Sequence, residues 1–367
     1  MKTLFIIHRL WLEGKIKQGG IDFIVRYFEE NHGLTYKIEH PFEDYNFPSN
    51  LKLAEQIISN HQSKLKPPFI WFFEVYINLS WTKKIKPIDI VFASDPLNFF
   101  SCYLLKKLGW AKKIWFHSVD YSDHRFNNRI LNRIYKTLYK LAVNQADLTT
   151  VVTQRMENLA KALTHHQERI FFLPNSPLFN HVPKIDINDR KKFHLALSAS
   201  KLSYMQWDKI LQVLIKLQKD YPQTILEIVG FIDETSKSKI TDLNLSANII
   251  CHGINPYNEA LAIISRCQIG LSWYVTDISH IYWGDSLKIR EYAAAGLPTV
   301  CDDITSTALE MAQWQAGFIA NTVEEMAAKI AILFNDHQLY KKYSANALNW
   351  AASTDKAKLL ANIISKL

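Results

Sequence analysis

Lys288 and Glu291 stand three residues apart in GDSLKIREYAAAGLPTVCDD, residues 284–303, and a lysine and a carboxylate at that spacing share one face of a helix. Ser286 is placed to cap that helix and Leu287 to Ala295 to form it. Gly296 with Pro298 then stops it ahead of a strand from Thr299 to Cys301. A helix N-terminus with a lysine attracts a diphosphate, and a carboxylate one turn further on can accept the two hydroxyls of a ribose. A solvated surface ion pair explains the same two residues equally simply.

A second candidate lies in WFHSVDYSDHRF, residues 115–126, where a strand's carboxyl end leads into a long helix. Asp120 at that strand end can accept a proton, and His117 is its rival. The plain alternatives are an aspartate capping the helix and a packed histidine; Asp123 reads as the cap of the helix that follows. Lys17-Gln18-Gly19-Gly20 follows the first apolar run, and its glycines let backbone amides approach a ligand, although a bare turn would look the same. It is not GxGxxG, which counts against a nicotinamide-dependent dehydrogenase.

These residues need two frameworks to hold them. Short apolar runs alternate with helical stretches, the signature of parallel α/β units. In the first half the runs are Thr3 to His8, Ile88 to Ala93, Lys113 to Ser118, Leu148 to Val152 and Ile170 to Leu173. In the second they are Leu195 to Ala199, Ile225 to Val229, Ile249 to His252, Ile269 to Trp273 and Thr299 to Cys301. The expectation is two Rossmann-like, doubly wound domains, residues 1–180 and 181–345, with a proline-bearing linker near 174–192. A terminal helix over 346–367 is expected to pack back toward the first domain. Ligands in such sheets sit beyond the carboxyl ends of the strands, so two domains facing across a cleft would place the chemistry there.

A chain of 367 residues, 48% hydrophobic and 21% charged, is long enough for two cores. No run is long and apolar enough to span a membrane. His8 and Arg9 interrupt the first apolar run, which argues for a buried strand over a leader peptide. Four scattered cysteines without C-x-x-C spacing indicate neither a disulfide framework nor a zinc site and fit a reducing cytoplasm. Residues 1–180 hold 24 Lys+Arg against 16 Asp+Glu, so the whole net charge of +8 lies there. That points to an anionic surface or partner, although a basic soluble face gives the same count. No recognition module for nucleic acid accompanies it. In KLKPPFIWFFEVYINLSWTKKIK, residues 64–86, aromatics between lysines suit a membrane interface. The apolar positions form no clean single face, however, and a buried helix is the preferred reading.

The segment 284–303 resembles the donor-site signature of the GT-B glycosyltransferases, above all glycosyltransferase family four (group 1). LPNS (173–176), LEIVG (226–230), NIICHGINPYNEALAIISRCQIGLSWY (248–274) and ALNWAASTDKAKLL (347–360) fall in that family's order and spacing. The resemblance implies the GT-B fold, a nucleoside-diphosphate sugar as donor substrate with a uridine nucleotide favoured, and no metal or other cofactor. It implies that Glu291 binds the ribose and Lys288 the diphosphate, with Arg290 or Lys201 in support and Gly19 and Gly20 near a ligand. The chain departs from the family where Trp283 replaces a glutamate, and where Ser200 and Met205 replace an arginine and a lysine. Tyr274, Ser286-Leu287-Lys288 and Asn349-Trp350 are also similar to the xanthan-assembly glucuronosyltransferase family, which inverts configuration and whose acidic base matches Asp120. The expected partners are a glycan or lipid-linked acceptor and an anionic membrane face, with the protein peripheral to it. A sugar-nucleotide 2-epimerase and a catalytically silent partner subunit share this architecture and remain open.

Overall fold

The computed structural model describes residues 1–12, 15–16, 19–42, 46–200, 202–276 and 279–367. It divides into two units, Met1–Pro174 together with Ala357–Leu367, and Asn175–Lys356.

In the first unit, strands β1 (Lys2–Leu12), β2 (Lys15–Ile16), β3 (Leu34–Phe42), β4 (Ser49–Leu53) and β5 (Gln56–His61) precede β6 (Ile88–Ala93), β7 (Ala111–Ser118), β8 (Leu148–Val151) and β9 (Ile170–Phe172). The helices are α1 (Gly20–Asn31), α2 (Phe69–Ile85), α3 (Pro96–Lys107), α4 (Arg129–Gln145) and α5 (Gln154–Leu163). The strand order is β5-β4-β3-β1-β6-β7-β8-β9, with β2 paired to β1. Pairing is parallel from β3 to β9, but β4 and β5 run antiparallel at one edge. The expected parallel sheet is thus the core of a mixed one. Only Ala54 and Glu55 separate β4 from β5, and so short a link permits an antiparallel hairpin alone.

Helix α2 faces the opposite way from what its composition suggests. It buries Glu74, Asn78 and Thr82 beside Ile70, Ile77, Trp81 and Ile85, while Phe69, Phe72 and Tyr76 are 69%, 69% and 64% exposed. The preferred reading of a buried aromatic helix is therefore corrected. The inward polar side chains are matched by partners: Asn78 Oδ1 lies 2.9 Å from His40 Nε2, and Glu74 Oε2 lies 3.2 Å from His8 Nε2.

The second unit carries β10 (His194–Ala199), β11 (Ile225–Gly230), β12 (Ile249–Gly253), β13 (Ile269–Ser272), β14 (Thr299–Cys301) and β15 (Gly317–Ile319). Its helices are α6 (Trp207–Gln218), α7 (Glu234–Asp242), α8 (Tyr257–Ser265), α9 (Ser279–Trp283) and α10 (Leu287–Ala294). They continue with α11 (Ser306–Gln313), α12 (Val323–Asn335) and α13 (His337–Ser353); α14 (Lys356–Ile364) follows. All strands are parallel in the order β12-β11-β10-β13-β14-β15. This is the dinucleotide-fold order, with its topological switch between β10 and β13.

The boundaries differ from those read in the sequence. Phe179 and Val182 pack against the same core as Trp350, so the proline-bearing segment belongs to the second unit. The terminal helix is broken at Thr354 and Asp355. Its first part, α13, stays with the second unit because Trp350 is buried under the Arg290 guanidinium, 5.2 Å from ring centroid to carbon. Only α14 returns to the first unit, where Leu360 and Ile363 join Phe5, Ile24, Phe28, Phe92 and Trp115. Among the described residues no helix is long and apolar enough to cross a membrane.

Candidate functional site

The switch between β10 and β13 gathers most of the predicted donor residues. Tyr274 follows β13 and is held by two backbone links: its N–H donates to Asp302 Oδ2 at 2.6 Å, and it bridges to Met205. From the other side comes α10, begun at Ser286 and ended at Gly296, whose φ of +74° is the left-handed turn glycine makes without strain. Ser286 is the N-cap residue, but its hydroxyl caps no amide. Instead Ser286 Oγ and the Tyr274 hydroxyl are 2.8 Å apart, and the Ser286 N–H donates to Thr307 Oγ1 at 2.8 Å. The capping expectation is thus right in position and wrong in contact, because the tyrosine competes for the hydroxyl. Leu287 is the first residue of the helix.

Lys288 points to the same place. Its Nζ lies 4.5 Å from the centroid of the Tyr274 ring and 3.1 Å from Met205 Sδ. Met205 stands where the resemblance leads one to expect a lysine, so a cation reaches that strand end from α10. Glu291, one turn on, is 5% exposed. Next to it is Tyr257, a residue the sequence reading did not single out. Burial, and then the Glu291 carboxylate, raise the pKa of its hydroxyl, so Tyr257 remains a proton donor beside that carboxylate. Asp302 was also missed. It is 2% exposed, burial raises its pKa, and it fixes the backbone at Tyr274.

Arg290 is removed from the list of leaving-group ligands. It is buried, its Nε 2.7 Å from Asp285 Oδ2 and its Nη2 3.0 Å from Glu310 Oε2. Asp285 also accepts the Asn175 N–H at 2.5 Å, so the arginine anchors α10 to the entering chain. Lys201 lies outside the described residues. Trp283 ends α9 and stacks edge-on against Tyr282, 5.4 Å between centroids.

The remaining candidates are in the first unit. Gly19 caps α1 in an extended conformation, and its N–H donates to Asp22 Oδ2 at 2.6 Å. A side chain added at Gly19 would meet nothing, so the turn offers open space while its own aspartate takes that amide. Gly20 is buried as the first helical residue. Asp120 follows β7, its side chain one-third exposed and bound by Arg125 Nη1 at 3.0 Å. His117 is wholly buried, its Nδ1 2.8 Å from Thr150 Oγ1. The structure therefore brings Tyr274, Ser286 and Lys288 together with Glu291 one turn further along α10 beside Tyr257, places Asp120 on a partly open strand end, and packs His117 into the sheet. Among the described residues no group of three metal-ligating side chains occurs.

Two Rossmann-like units, the second with these residues at its switch point, give the chain the GT-B fold. The family model described as "Glycosyl transferases group 1" matches residues 183–350, which places the group 1 domain in the second unit. An "Uncharacterized glycosyltransferase" of Haemophilus influenzae is 24% identical over 72% of this chain and 74% of its own. Among solved structures, Anabaena Alr3699/HepE in complex with UDP is similar over 100% of both chains, with TM-score 0.70 and 15% identity. The sucrose-phosphate synthase of Thermosynechococcus elongatus is similar over 100% of this chain and 98% of its own, with TM-score 0.72 and 11% identity.

Proposed function

We propose that the chain moves a sugar from a nucleoside-diphosphate sugar, with a uridine nucleotide favoured, to a hydroxyl of a glycan or lipid-linked acceptor in polysaccharide or glycolipid assembly. The observation that carries this is the convergence of Lys288, Tyr274 and Ser286 at the β10/β13 switch, with Glu291 one helical turn behind. In this reading Lys288 and the first turn of α10 hold the diphosphate, Glu291 accepts the ribose hydroxyls, and Tyr257 orients Glu291. The similar Anabaena protein was crystallised with UDP, which supports the choice of nucleobase. The acceptor oxygen attacks the anomeric carbon, the bond to the diphosphate oxygen breaks, and the nucleoside diphosphate leaves with its negative charge met by Lys288. In an inverting course Asp120 takes the acceptor's proton. A retaining course, in which the departing diphosphate takes that proton, is favoured by one observation: Arg125 already engages the Asp120 carboxylate at 3.0 Å. The test is a thermal-shift series with UDP, GDP, ADP and their sugars, since a ligand of the native state raises its melting temperature. Stabilisation by none of them would refute the donor site, and donor turnover without an acceptor would favour the epimerase.

The first unit has a surface suited to an acidic bilayer. Phe69, Phe72 and Tyr76 occupy one exposed face of α2, and Ile130 (70%) and Ile134 (44%) an exposed face of α4. The rings of Trp71 and Phe126, 5.4 Å apart, join the start of α2 to the segment before α4. Lys64, Lys66, Arg129, Arg133, Lys136 and Lys140 are exposed around these residues. Aromatics and aliphatics rimmed by cations fit anionic headgroups, which would bring the enzyme to a lipid-linked acceptor. Flotation with vesicles containing phosphatidylserine should depend on acidic lipid and salt, and Phe69→Ser/Phe72→Ser should lose it. Equal retention on neutral vesicles would refute this.

A further inference from the structure

Helix α10 is fixed by the residue that stands just ahead of its N-cap. The Asp285 side chain is 0% exposed and accepts from three parts of the second unit at once. Its Oδ2 takes the N–H of Asn175, the first residue of that unit, at 2.5 Å, and the Nε–H of Arg290, from α10 itself, at 2.7 Å. Its Oδ1 takes the hydroxyl of Thr307 on α11. Thr307 Oγ1 in turn accepts the N–H of Ser286 at 2.8 Å, and the Ser286 hydroxyl lies 2.8 Å from that of Tyr274. The N-cap residue is thus held by its backbone nitrogen and by its side chain, and the first of these holds runs through Thr307 to Asp285.

A buried ion pair is a poor device for stability alone. Two charges taken out of water lose about as much as their attraction returns, and apolar residues of the same volume often serve the fold as well. What such a pair adds is direction, because a carboxylate oxygen accepts only where a donor meets it. Three donors from separate segments therefore fix Asp285 and, with it, the peptide that leads into Ser286. The effect is visible at the cap. A serine at an N-cap ordinarily accepts an amide of the first turn, but Ser286, its N–H turned to Thr307 and its hydroxyl to Tyr274, caps none. The first turn of α10 is left without a side-chain acceptor at the place where the Lys288 ammonium lies over the Tyr274 ring, and a helix end in that state is suited to an anion.

We propose that Asp285 is the positioning residue of the donor site: acting through Thr307 and Ser286, it keeps the first turn of α10 uncapped and oriented for the diphosphate of the nucleotide. The inference rests on the donor reading above and adds to it a residue that makes no contact with the ligand. Glu310 supplies the contrast. It meets the same arginine from the other side, its Oε2 3.0 Å from Nη2, but it stands outside the Asp285–Thr307–Ser286 relay. If the cluster served folding alone, losing either acid should do the same harm.

The test is calorimetric titration of the whole chain with UDP, GDP, ADP and inorganic pyrophosphate, below the melting temperature of every variant. In Asp285→Asn the new amide must face a group that now donates to the carboxylate, whichever way it turns, so the Kd for nucleoside diphosphate and for pyrophosphate should rise together by about tenfold or more. Thr307→Val, which removes the relay hydroxyl at nearly constant volume, should do the same, whereas Thr307→Ser should stay within about threefold of wild type. Glu310→Gln should lower the melting temperature and leave both affinities within about threefold. Wild-type affinity in Asp285→Asn overturns the proposal, and so does a loss in Glu310→Gln as large as that in Asp285→Asn. If Asp285→Asn does not fold, the Thr307 pair decides, and equal affinities in its valine and serine variants refute the relay. A wild type that binds none of the three nucleoside diphosphates would instead overturn the donor reading, and this inference with it.

Discussion

Replacing Lys288 by alanine tests the donor site most directly, because the structure separates what the residue does for folding from what it is proposed to do for binding. In place, its ammonium rests over the Tyr274 ring at 4.5 Å and against Met205 Sδ at 3.1 Å. A half-buried cation–π contact contributes about 0.5 to 1 kcal/mol, and a thioether is a weak acceptor. For a domain of this size that loss lowers the melting temperature by about 1 to 4 °C. A charge-assisted bond to a diphosphate is worth about 1.5 to 3 kcal/mol, which corresponds to a roughly 10- to 150-fold rise in the Kd for UDP. Calorimetric titration with UDP reads the second quantity and scanning calorimetry the first. A variant that melts several degrees lower yet binds UDP with wild-type affinity would show that Lys288 only packs the site.

Glu291→Gln should weaken UDP while leaving inorganic pyrophosphate unaffected; equal losses, by titration, would contradict a ribose contact. Asp120→Asn should retain UDP binding and lose about 10²- to 10⁴-fold in transfer rate if inversion is the course, whereas His117→Asn should show its effect in melting temperature because His117 is buried on Thr150. Near-normal turnover in Asp120→Asn would move the enzyme to the retaining course. The His8 pKa of about 10 lies above the ordinary 6.5, so its stabilisation is complete below about pH 6.5 and is lost as pH rises toward 10. Wild type should lose stability across that window and His8→Gln should lack the slope, as thermal melts at stepped pH would reveal; matching profiles would remove His8 as the cause.

How far the sequence carried this picture depended on whether a signal was local. The strands Ile88–Ala93 and Thr299–Cys301 were legible to the residue, since apolar β-branched runs flanked by turns leave little choice. β3 escaped because it holds Lys37, Glu39 and His40, each 5% exposed or less, and its charges look like a loop until their partners are known. Lys37 pairs with Glu29 and Glu55, and Glu39 with Arg9 and Lys52. The orientation of α2 was hidden for the same reason: Glu74 faces inward only because His8 awaits it there. That Lys288 and Glu291 share one helix was legible from their spacing alone. Tyr257 and Asp302 reach the same place from other elements, and no spacing rule joins them. The buried ion cluster at His8 had one visible trace, the charged pair His8-Arg9 interrupting an apolar strand, but its meaning depends on residues 74 and 95.

The return of α14 to the first unit has a consequence for how the protein is made. Leu360 and Ile363 are buried, at 0% and 3% exposure, among Phe5, Ile24, Phe28 and Trp115. The hydrophobic core begun by β1 is therefore closed by a helix that follows the whole of the second unit in the chain. All of Asn175–Lys356 must be synthesised in between, which at bacterial and eukaryotic elongation rates takes on the order of ten to forty seconds. Throughout that interval the nascent first unit carries an uncovered apolar groove, while the second can complete its own fold on the growing chain. The order of maturation thus runs against the order of synthesis. A nonsense codon or a nick just after Trp350 would strike the unit that precedes the break, not the one that contains it.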